Sequence, residues 1–106
     1  MFATRQLFQA CRITLFTRET CGLCTQAKGV LSTVWDQRPF VYKEIDVDKT
    51  EVKTWKELYD YDVPVIHIAN ASSPEEDPKK IGKAVKLMHR FTPDQVQDKM
   101  DQVEES

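Results

Sequence analysis

Arg12-Ile13-Thr14-Leu15-Phe16-Thr17-Arg18-Glu19-Thr20-Cys21-Gly22-Leu23-Cys24 decides how the rest of the chain is read. Its first six residues are β-branched or aromatic enough for a buried strand, and Glu19-Thr20 bounds them. From Cys24 the apolar spacing changes: Ala27, Val30, Leu31, Val34 and Trp35 follow a helical period, and Arg38-Pro39 stops it. Two cysteines separated by two residues therefore stand where a strand hands over to a helix. That placement suits either redox chemistry or a metal.

The first unbonded N–H groups of a helix and the positive end of its dipole surround a sulfur at Cys21 and favour the thiolate. Cys24, three residues on, lies on the same helical face and is within reach of a mixed disulfide formed at Cys21. Gly22 leaves the approach to the first sulfur open, and Leu23 offers an apolar contact beside it. Arg18 offers positive charge to a thiolate or to a carboxylate of a peptide-like partner.

Outward from this stretch, Phe40–Val47 alternates apolar with polar residues and reads as a second strand. Thr50 is expected to cap a short helix with Val52, Trp55, Leu58 and Tyr59 on one side. A strand, a helix and a strand in this order imply a parallel pair with a right-handed crossover. Asp62 to Ile68 reads as a third strand and Val85 to Arg90 as a fourth. Between them Asn70–Gly82 reads as a polar loop whose Glu75-Glu76-Asp77 run faces water. Thr92-Pro93-Asp94-Gln95 carries the signature of a capping box with Pro at the first helical position, followed by a narrow stripe of Val96, Met100 and Val103.

With 106 residues, 41% apolar and 30% charged, the chain supports one small core. Residues 1–10 are read as a flexible N-terminal arm and 11–104 as one domain. A net charge of −2 provides no electrostatic footprint for nucleic acid or an anionic membrane, and no apolar run has the length of a membrane span. Three cysteines with this spacing suit a reducing, intracellular compartment. The cytoplasm is the first expectation. Arg5, Arg12 and Arg18 with no acid among residues 1–18 make a mitochondrial presequence the alternative.

Cys11 stands ten mostly extended residues from Cys21, roughly 20–30 Å at ~3.3 Å per residue. It is expected to be a strand-start residue and not the resolving thiol. His67 and His89 are read as structural or surface histidines, Trp35, Trp55 and Tyr59 as core or cleft residues, and Tyr61 and Asp62 as candidates for the rim of a cleft. A structural zinc site wants four ligands, and the sequence marks out no metal site.

Cys21-Gly22-Leu23-Cys24 after a first strand, Glu44-Ile45-Asp46 in the second and Val63-Pro64 opening the third resemble the thioredoxin superfamily. Within it the chain is most similar to the small glutaredoxin-like proteins, over Arg12 to about Val103. The resemblance implies an α/β thioredoxin fold, βαβαββα, whose mixed four-stranded sheet has helices on both faces. It implies a cis Val63–Pro64 bond beside the cysteines, with strand three antiparallel to strand one.

In function it implies a monomeric thiol–disulfide oxidoreductase. Cys21 is the nucleophile, Cys24 resolves, and Arg18, Leu23, Val63 and Pro64 meet the substrate. The partners would be protein or glutathione thiols and disulfides, with no cofactor beyond glutathione as a co-substrate. The alternative is a non-catalytic thioredoxin-fold module that binds an iron–sulfur cluster or a partner protein. The chain departs from glutaredoxins in having Gly22-Leu23 in place of Pro-Tyr, and Arg90-Phe91-Thr92-Pro93-Asp94 in place of the Gly-Gly-Asp element.

Overall fold

The computed structural model describes residues 10–105. The chain runs through β1 (Cys11–Thr17), α1 (Gly22–Gln37), β2 (Val41–Asp46), α2 (Thr54–Tyr59) and β3 (Val65–Asn70). A 3₁₀ segment (Pro78–Lys83), β4 (Val85–Met88) and α3 (Pro93–Glu105) complete it. One sheet results, in the order β2-β1-β3-β4. β1 pairs in parallel with β2 and antiparallel with β3, and β4 is antiparallel to β3. Except for Ala10, the arm expected over residues 1–10 lies outside the described residues.

Every residue of β1 is buried, because this central strand is covered on both faces. Period-two alternation divides its side chains. Cys11, Ile13 and Leu15 join Ile66 and Ile68 in a core closed by Ala27, Leu31 and Val34 of α1 and Val96, Met100 and Val103 of α3. Phe16 and Val65 face the other way, against Trp55 and Tyr59 of α2. The Phe16 ring centroid lies 4.5 Å from that of Trp55 and 5.1 Å from that of Tyr59. Helices therefore cover both faces, and the fold is the expected thioredoxin-type arrangement.

Local chemistry moves several boundaries. β3 starts at Val65 after a cis Val63–Pro64 bond, and β4 stops at Met88 because His89 takes a left-handed φ of 62°. The second helix begins at Thr54 and not beside Thr50. Asp46 Oδ1 accepts the Asp48 N–H, and Thr50 Oγ1 accepts only the Val52 N–H at 3.2 Å, so these side chains wind a turn before the helix. Trp55 and Tyr59 are its buried residues, while Val52 and Leu58, expected with them, are exposed. Trp35 is also partly outside the core, with its indole N–H on the Phe40 carbonyl.

The segment expected to be a solvated loop contains a half-buried anchor. Glu76 accepts from Arg12 Nη2 at 2.8 Å and lies 2.7 Å from His67 Nδ1, whose Nε2 is 2.7 Å from the Tyr59 hydroxyl. Arg12 also donates to the carbonyls of Ser73 and Pro74. Burial alone would raise the Glu76 carboxyl, but the bonds and charges from His67 and Arg12 outweigh it and hold the group below its ordinary range. Asp77 then caps the 3₁₀ segment through the Lys79 N–H.

Candidate active site at the start of the first helix

Cys21 is the N-cap of α1, with extended backbone at φ −138° and ψ 107°. Its Sγ accepts the Cys24 N–H at 3.1 Å and is joined to Cys24 in a disulfide, with 5.2 Å between the two Cα atoms. Both expected site cysteines are thus brought together. Cys24 is 2% exposed, so the pair is open to solvent through Cys21, which is only partly covered. Leu23 is likewise half-buried.

The register of β1 on β3 brings the second half of the site to the first. Phe16 pairs with Val65, which places Val63–Pro64 at the end of β1 from which the cysteine loop leaves. The Val63 N–H donates to the Tyr59 carbonyl at 3.2 Å. Pro64 is buried, and its carbonyl accepts the His89 N–H at 2.8 Å.

Arg18 is at the site but already engaged. Its Nε and Nη2 donate to the Asp48 carboxylate at 3.0 and 3.1 Å, and Nη1 donates to the Asp60 carbonyl at 2.8 Å. Nη2 also pairs with the Asp60 carboxylate. Hydrogen bonds to Asp48 and then Asp60 raise the Arg18 pKa further, and those donated by Arg18 and then Lys56 hold Asp48 below its usual value. The guanidinium ties the approach to Cys21 to the turn after β2 and to the end of α2, three residues before Val63.

His89, read as a structural or surface histidine, is exposed and borders the Val63–Pro64 turn. Its backbone bonds to Pro64, and its Nε2 lies 3.5 Å from Asp62. The pairing of Val65 with Met88 puts the residue after β4 beside Pro64. His67 is buried in the structural network described above. Cys11 is free and buried at the far end of β1. Among the described residues no group of three His, Cys, Asp or Glu is arranged to hold a metal ion.

Residues 12–101 match the model of the glutaredoxin-like domain family, DUF836. The chain belongs to the glutaredoxin-like family. A relative of that name in Dictyostelium discoideum, the glutaredoxin-like protein YDR286C homolog, is 34% identical over 62 residues, covering 55% of this chain and 57% of that protein. The match thus spans a little over half of the curated relative's length. A protein of X. campestris, XcR50, shares the fold at a TM-score of 0.58 and 22% identity, over 85% of this chain and 96% of its own. Chloroplastic thioredoxin z superposes at a TM-score of 0.66 and 21% identity, over 99% and 88% of the two chains. Oxidised thioredoxin O2 of Arabidopsis thaliana does so at 0.60 and 13%, over 96% and 82%. At these identities the glutaredoxin-like chain and its structural neighbours share a fold.

Proposed function

We propose that this glutaredoxin-like protein is a thiol–disulfide oxidoreductase with Cys21 as nucleophile and Cys24 as resolving thiol. The observation that carries the reading is the Cys21–Cys24 disulfide at the N-cap of α1, beside cis Val63–Pro64 and with only Cys21 accessible. A sulfur anion at Cys21 gains the Cys24 N–H and the positive end of α1.

In the reduced protein the Cys21 thiolate attacks one sulfur of a partner disulfide and displaces the other as a thiolate. Cys24, deprotonated, then attacks the Cys21 sulfur and displaces the partner's remaining thiolate. The Cys21–Cys24 disulfide re-forms, and two electrons and two protons have passed to the partner. Val63 and Pro64 set the partner's sulfur in line, with the Val63 carbonyl accepting a backbone N–H of the partner. Leu23 packs beside it, and Arg18 holds the two loops at a fixed separation. The partner thiols and disulfides belong to proteins or, as a co-substrate, to glutathione.

The test is reduction of a disulfide substrate by Cys21→Ser and Cys24→Ser variants, with a redox titration of the unaltered protein followed by alkylation and intact mass. Cys21→Ser abolishes turnover, whereas Cys24→Ser retains part of it through mixed disulfides. Two alkylation sites, Cys21 and Cys24, disappear together within roughly −300 to −120 mV. Full activity in Cys21→Ser, or thiols free across that range, refutes the reading.

A further inference from the structure

The rim of the disulfide carries an uneven distribution of charge. Arg18 is bonded to Asp48 and Asp60, Lys56 to Asp48 and Lys49 to Glu19. Each of these three basic side chains is therefore already matched by a carboxylate. Two further acids extend the arc. Asp46 sits at the end of β2 and accepts the Asp48 N–H, and Asp62 faces His89 at 3.5 Å. Five carboxylates thus stand against three basic side chains, an excess as large as the net charge of −2 of the whole chain. Arg90 lines the groove between α1 and the turn after β4, beside His89.

Tyr61 stands within the acidic arc. It is 94% exposed, between Asp60 and Asp62, two residues before Val63. Tyrosine is a preferred anchor of protein interfaces, since its ring covers a large area at a small entropic cost. An acidic rim around it attracts a cationic partner and disfavours an anionic one. Glutathione, with two carboxylates and one ammonium, meets the wrong sign here, and Arg18 has no unmatched charge to offer it.

We propose that the dithiol acts on disulfides of polypeptides whose residues flanking the cysteine are basic, with Tyr61 packed on the partner chain and the Asp60–Asp62 turn selecting its charge. This rests on the oxidoreductase reading above. The chemical step is the exchange already written, with the reduced protein as the electron donor.

The test is single-turnover oxidation of the pre-reduced full chain by two disulfide-linked model peptides identical except for Lys or Glu flanks, with bis(2-hydroxyethyl) disulfide as a neutral reference. The Lys-flanked peptide reacts at least fivefold faster at low ionic strength, and the ratio narrows in 0.5 M salt as charges are screened (roughly 4–5 Å Debye length). Asp62→Lys at least halves the ratio. Tyr61→Ala lowers the Lys-peptide rate at least threefold relative to that of the neutral reference. A Lys-to-Glu ratio below fivefold, or a ratio unaffected by Asp62→Lys, overturns the proposal and leaves the oxidoreductase reading intact. No reaction with any of the three disulfides overturns both.

Discussion

The three cysteines share a side chain and differ in everything that decides reactivity. Cys21 is open to a partner at a helix start, Cys24 is buried one turn on, and Cys11 is buried at the far end of β1 with its Sγ 3.4 Å from Glu104 Oε2. Burial, then the hydrogen bond and charge of Glu104, push the Cys11 thiol up to about 12. At pH 8 its thiolate fraction is then about a thousandfold below that of an unperturbed thiol. Native reduced protein treated with iodoacetamide is expected to take up label at Cys21 first and none at Cys11 until urea is added. Labelling of Cys11 in the native state at the rate seen in urea would contradict its buried, protonated assignment. Sequence spacing was sufficient to separate Cys11 from the disulfide-bonded pair, because strand geometry fixes distance. It did not reveal that Arg18 is consumed by Asp48 and Asp60, since partners 30 and 42 residues away meet only after the sheet and α2 are assembled.

Helix ends were legible where the signal is local. The capping box at α3 is present in full: the Thr92 N–H donates to Gln95 Oε1 at 2.9 Å, and the Gln95 N–H to Thr92 Oγ1 at 3.2 Å. Thr50 looked like an equivalent cap, but its hydroxyl serves a turn, and α2 starts with no side-chain cap at all. The two threonines therefore predict different losses. Thr92→Ala removes a true N-cap and is expected to cost about 1 kcal/mol. For a domain of this size that lowers Tm by roughly 4–8 °C. Thr50→Ala removes one exposed bond in a turn and is expected to stay within about 0.5 kcal/mol. Urea denaturation of both variants checks the order, and equal losses would show that the Thr92 cap contributes nothing beyond a surface hydroxyl. α3 matters to the site at one remove, because it packs with α1 against the face of β1 that holds Ile13 and Leu15.

At the scale of the whole molecule, the parallel pairing of β1 with β2 was legible in the strand–helix–strand order, whereas the antiparallel β3 and the meeting of Val63–Pro64 with the cysteine loop came from the family resemblance. What escaped the sequence was the polar half of the second face. An acidic run between two prolines has the composition of a surface loop, and nothing local says that Glu76 turns inward to Arg12, 64 residues away. Yet this network joins β1, β3, α2 and the long β3–β4 connection. Arg12 and Glu76 have side chains 5% and 12% exposed, so removing one partner strands the other in a poorly hydrated place. Glu76→Gln is expected to cost about 3 kcal/mol at pH 7. The sign of the pH dependence follows from the depressed Glu76 pKa: its contribution is fully present above the ordinary carboxyl value of 4.5 and is lost as pH falls through the lower folded-state value. Asp48, also depressed but on the surface, slopes the same way in both proteins and cancels in their difference. Unfolding free energies from urea titrations should therefore differ by a constant amount from pH 7 to about 5 and converge below about 4.5, once protonation has undone in the native protein what the glutamine removes. A difference that persists unchanged to pH 3 would mean that the variant is destabilised by packing alone. A difference near zero at pH 7 would mean that the β3–β4 connection is held by its backbone bonds and the 3₁₀ segment without the buried charge pair.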